Sequence, residues 1–151
     1  MRRLAAVALG LVVLGGPLAC SSDGSDDGGR AVEAFDLEPG ACFNRPAEAS
    51  QVKEVEVVDC AEAHDFEVYH SFQLADGPYP GAAAMEEEWI QGCIAPFESF
   101  VGSTFDESVL DISAIFPTSE SWDQVGDREV VCSVTAVDGV PRTGSAAGSG
   151  D

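Results

Sequence analysis

CAEAHDFEVYHSFQL, residues 60–74, sets a thiol, a histidine and two carboxylates in front of the cleanest alternation in the chain, and a third carboxylate, Glu67, within it. From Phe66 onward, Phe66, Val68, His70, Phe72 and Leu74 alternate with Glu67, Tyr69, Ser71 and Gln73. A period of two is that of a β-strand with unlike faces. Upstream, residues 52–60 also alternate, with Val55 and Val57 opposed to Glu54 and Glu56, so the two strands read as a hairpin connected by CAEAHD. On that reading His70 lies on the mainly apolar face, where a packed core or sheet-edge histidine is the commoner case than a ligand.

Outward from this hairpin the chain is punctuated plainly. DGPYPG, residues 76–81, cannot continue a strand, and the alanines that follow open a helix. Met85, Trp89, Cys93 and Phe97 recur every four residues with Ile90 and Ile94 beside them, the buried stripe of an amphipathic helix. Glu86, Glu87 and Glu88 form its solvated face, and Pro96 is expected to kink or restart it before Gly102. Leu110, Ile112, Ala114 and Phe116 alternate as a third strand, and Val130, Cys132, Val134 and Ala136 as a fourth. Strand, strand, helix, strand, strand predicts a small two-layer α+β sandwich: an antiparallel sheet of about four strands with one main helix across a face.

The ends differ from this middle. MRRLAAVALGLVVLGGPLAC carries two arginines, an apolar run too short to span a bilayer, and a small residue before Cys20. It reads as an export signal over residues 1–19, with Cys20 as the lipidated first residue of the mature chain; plain secretion is the alternative. Residues 20–34 read as a flexible acidic tether, residues 35–137 as the folded domain and residues 138–151 as a disordered tail. The 151 residues carry 7 basic and 27 acidic side chains, a formal charge of −20. Such a field repels phosphate backbones, so nucleic acid is not an expected partner, and membrane contact is expected through the lipid anchor instead.

Setting Cys20 aside leaves Cys42, Cys60, Cys93 and Cys132, an even set in a small exported domain, which predicts two disulfides. Three pairings exist. Cys42 with Cys60 and Cys93 with Cys132 is favoured, because the first pair lies in one strand-rich stretch and the second ties the helix to the last strand. Closing loops of these lengths contributes roughly 3 to 4 kcal/mol each.

Catalytic and metal signatures are weak. No Cys-x-x-Cys or His-x-x-x-His pair offers zinc ligands on one turn, and Cys60 is expected to be oxidised. A cysteine nucleophile would need a lowered thiol pKa, which the acidic surroundings oppose. No phosphate loop, Gly-x-Ser-x-Gly or His-Glu-x-x-His is present. No catalytic residue, metal or other cofactor is therefore expected.

DLEPGAC at residues 36–42, VVDC at 57–60 leading to HDFEV at 64–68, LADGPYPG at 74–81, Cys93, FVG at 100–102, PTSESW at 117–122 and GDREVVC at 126–132 together carry a likeness. The chain resembles the septum formation domain of actinobacterial envelope proteins. Ala63 departs from the family's usual proline before His64. The resemblance implies an extracytoplasmic, non-catalytic domain named for cell division, whose partner is an unidentified envelope or divisome protein. It makes His64 and Glu67 either braces locking the turn onto the sheet or a ligand site, with Arg128 as charged partner of an acid such as Glu67 or Asp127. A metal- or ligand-sensing exported domain using His64, His70 and nearby carboxylates is the alternative function.

Overall fold

In the computed structural model, which describes residues 29–46 and 54–151, the elements run in this order. They are β1 Arg30–Glu33, a 3-10 turn Ala34–Asp36, β2 Cys42–Phe43, β3 Glu54–Val58, β4 Phe66–Gln73, α1 Ala82–Val101, a 3-10 turn Phe105–Glu107, β5 Leu110–Ile115, α2 Ser119–Gln124 and β6 Glu129–Ala136. Export signal, Cys20 and most of the tether lie outside the described residues. The architecture is α+β with one dominant helix and two disulfides, but its antiparallel sheet has six strands rather than about four, in the order β1-β3-β2-β4-β6-β5.

Two short strands account for the difference. β1 falls inside the expected tether and pairs with β3 from Arg30↔Val57 to Glu33↔Glu54. RAVE is too short to show a strand pattern by itself. β2 has only two residues, yet it separates the expected hairpin: Cys42 faces Val58 on one side and Glu67 on the other. The stretch CAEAHD therefore joins two strands that are not neighbours.

The alternation of β4 is also interrupted. Its pairing with β6 shifts register between Val68 and His70, with Tyr69 as the extra residue. A bulge of one residue exchanges the faces of everything beyond it. Phe66 and Val68 consequently pack with Leu37, Phe43, Val55 and Val131. Phe72 and Leu74 join the opposite cluster, where Tyr69, Val130, Cys132 and Val134 meet Cys93, Phe97 and Val101 of α1. The apolar series expected on one face is thus divided between two. His70 is half-buried and stacks on Phe72 at 5.8 Å.

Helix α1 buries Met85, Cys93 and Phe97 of the expected stripe, and Val101 beyond it, while Trp89 and Ile94 are half-buried and Ile90 is exposed. The helix continues as one element through Pro96 instead of restarting there. Loss of one backbone donor is tolerated where Cys93, three residues before, and Phe97, directly after, are both fully buried. Gly102 ends the helix in the left-handed region, at φ 84°, with its N–H on the Glu98 carbonyl. The short α2 was not legible as a helix; Thr118 and Ser121 cap it reciprocally. Disulfides join Cys42 to Cys60 and Cys93 to Cys132, the favoured pairs, the second tying α1 to β6.

The expectation of a disordered tail is corrected. Residues 138–151 turn back over the open end of the sheet, and Ala146 is 1% exposed within the main core cluster. Gly148 N–H donates to the Phe100 carbonyl and Gly150 N–H to that of Val101, so the tail satisfies carbonyls that the end of α1 leaves unpaired. A glycine-rich segment held by backbone bonds and one methyl group has no hydrophobic period to read.

Candidate functional site

The tail docks where His64 and Glu67 lie. Asp65 N–H bonds the Phe43 carbonyl and its carboxylate accepts from Arg45 N–H at 2.7 Å, which fixes the turn before β4 against β2. His64, 2% exposed, exchanges both backbone hydrogen bonds with Arg142, at 2.9 and 2.8 Å. Its Nδ1 lies 2.9 Å from the Glu62 carbonyl, which only accepts, so this nitrogen carries the proton. Glu67, 3% exposed, accepts from Ser145 Oγ at 2.5 Å and from Ala146 N–H at 2.6 Å. Both carboxylate oxygens are therefore engaged by the chain's own last residues. Arg142 closes the tail by donating to Asp151 at 2.7 Å, a bond that holds the Asp151 carboxyl below the usual carboxylate range.

Arg128 is not with them. Its guanidinium stands 3.6 Å from the ring centroid of Trp122 and donates to the carbonyls of Trp122 and Asp127. The nearest acid is Asp76, at 3.6 Å from Nε and fully exposed. Neither Glu67 nor the Asp127 carboxylate is its partner, for the latter accepts from Ser121 Oγ and Glu129 N–H. Trp122 in turn donates to the Gly77 carbonyl, so Arg128 belongs to a second assembly that fastens α2 to the turn after β4.

Sequence reasoning thus found His64 and Glu67 and missed Ser145, Ala146 and Arg142, whose segment had been read as tail. Among the described residues, Cys42, His64 and Glu67 form a group of metal-ligating type, their candidate ligand atoms within 4.8 Å of one another. His70 is not in that group, which separates the two histidines that the sensing alternative combined. A shallow cleft of about 530 Å³ opens elsewhere, lined by Asp36, Leu37, Glu38, Pro39, Ser71 and Glu129, and includes neither histidine.

Residues 39–150 match the family described as septum formation, a span that includes His64, Glu67 and the tail that covers them. The chain belongs to the septum formation family. Membership is consistent with a chain without enzymatic function. Two curated relatives, each named an uncharacterized membrane protein, come from Mycobacterium tuberculosis strains CDC 1551 / Oshkosh and ATCC 25618 / H37Rv. Each is 29% identical over 86 residues, covering 50% of this chain. The septum formation chain spans only 19% of the length of either. No solved structure matches it.

Proposed function

We propose that this is a membrane-tethered, extracytoplasmic binding or scaffold domain of the cell envelope acting in septum formation. Lipidated Cys20 is its anchor and an envelope or divisome protein its partner. The observation that carries the non-catalytic part is the state of Glu67 and His64: both are buried, and the polar atoms with identified partners point at backbone and hydroxyl groups of this same domain. Groups spent in this way are braces. Family membership supports the division role, and the relatives named as membrane proteins support the location. Among the described residues no helix is long and apolar enough to cross a membrane.

Deletion tests the role and Cys20→Ala the tether. Loss of the chain is expected to disturb septation, with rescue by the wild type and not by Cys20→Ala, which should leave the membrane fraction. Normal division in the deletion strain would overturn the proposal. His64→Ala and Arg128→Ala test the braces, each in its own assembly: each should lower the melting temperature, whereas unchanged melting with lost partner binding would assign the residue concerned to a ligand site.

A further inference from the structure

The Cys42–Cys60 bridge ends beside His64 and Glu67, which with Cys42 make a cluster of metal-ligating side-chain types. Cys42, His64 and Glu67 are all buried, with candidate ligand atoms within 4.8 Å of one another. Ligands at zinc bond lengths of about 2.0 to 2.3 Å stand roughly 3.3 to 3.8 Å apart, so small side-chain adjustments close the gap. The outer contacts are already in place. The Glu62 carbonyl holds the proton on Nδ1 of His64, which leaves Nε2 with the free lone pair, and Ser145 and Ala146 orient the Glu67 carboxylate. What blocks the site is the bridge, because a disulfide sulfur is not a thiolate. This bridge is also the reachable one: Cys60 is half-buried, whereas Cys93 and Cys132 are both 0% exposed.

We infer that reduction of Cys42–Cys60 converts this corner into a binding site for a divalent cation of the zinc class, held by Cys42, His64 and Glu67. A thiolate, an imidazole and a carboxylate are a three-ligand donor set suited to tetrahedral zinc, with water in the fourth position. The reductant is a dithiol. It supplies two electrons and two protons and leaves as a disulfide, while the Sγ–Sγ bond becomes two thiols. The cation then displaces the Cys42 thiol proton to water, while Cys60 remains a thiol. Oxidised, the corner is a staple; reduced, it is a metal site. This holds whatever the domain binds at the envelope.

The test uses the full chain, reduced with dithiothreitol under native conditions, freed of reductant without air, and titrated with Co2+. Mass spectrometry should find Cys42–Cys60 open before Cys93–Cys132. The reduced chain should take up about one equivalent of Co2+ with a thiolate charge-transfer band, released by Zn2+, and the oxidised chain none. His64→Gln and Glu67→Gln should each weaken uptake at least about tenfold. Equal affinity in wild type and both variants would assign the cobalt to other thiols, Cys20 among them, and overturn the inference. Cys60→Ser frees Cys42 without a reductant and leaves Cys93–Cys132 closed. Where this variant or the reduced chain loses structure, recovery of its circular dichroism on adding Zn2+ supports the site, and no uptake with no recovery refutes it.

Discussion

A buried carboxylate that accepts from both a hydroxyl and a backbone N–H is costlier to delete than to neutralise. Glu67→Ala leaves the Ala146 N–H and the Ser145 hydroxyl without their acceptor, a loss of about 1 to 3 kcal/mol. Glu67→Gln keeps an amide oxygen for the N–H and should lose less. Thermal melts give the ranking, and hydrogen exchange at Ala146 and Gly148 should rise in the alanine variant; equal protection would show that Glu67 does not hold the tail. Tyr69 gives a pH signature. Its hydroxyl donates to the Cys93 carbonyl and burial pushes the phenol above its ordinary value. The folded domain therefore keeps this proton while the unfolded chain gives it up. The contribution is complete below the unfolded value and falls away as pH rises past about 10. Tyr69→Phe should cost about 0.5 to 1.5 kcal/mol at neutral pH through the lost hydrogen bond and flatten part of the alkaline decline. An unchanged alkaline slope in that variant would contradict the assignment.

Helix α1 meets β4 at a glycine. A Cβ on Gly92 would lie 2.2 Å from the tip of the Phe72 ring, and that ring is stacked on His70. Gly92→Ala gains about 1 kcal/mol in helix propensity and loses about 1 to 3 by overpacking. The net expectation is a domain less stable by up to about 2 kcal/mol, read by denaturant unfolding; a more stable variant would mean that Phe72 yields freely. The stripe of α1 and the strands β5 and β6 were legible because Leu110, Ile112 and Ala114, like Val130, Cys132 and Val134, repeat on the side that meets α1, although Val131 packs in the other cluster. β4 was half legible: its strand character shows, while the bulge at Tyr69 has no signal in residue type and divides Phe66 and Val68 from Phe72 and Leu74. β2 was hidden because two residues make no period, and only its pairing with both β3 and β4 reveals it. The partners of Glu67 were hidden for a similar reason, since Ser145 and Ala146 lie in a glycine-rich stretch held by backbone geometry.

Across the whole molecule, two staples and a returning tail hold a small core together. The bridges close separations of 18 and 39 residues. On loop entropy alone, removing them costs about 3 and about 4 kcal/mol respectively. Cys93→Ala with Cys132→Ala should thus be the more damaging pair, because it also opens a cavity where α1 packs on β6. Equal melting temperatures for the two double variants would show that strain or unfolded-state structure outweighs loop length. At this scale the family match ties His64, Glu67 and the tail into one domain, and the function proposed for that domain is division at the envelope. The most direct measurement is the position of the full-length tagged chain in growing cells, as fluorescence at the septum relative to the lateral envelope. The account predicts enrichment at the septum during constriction; an even distribution through the division cycle would contradict it.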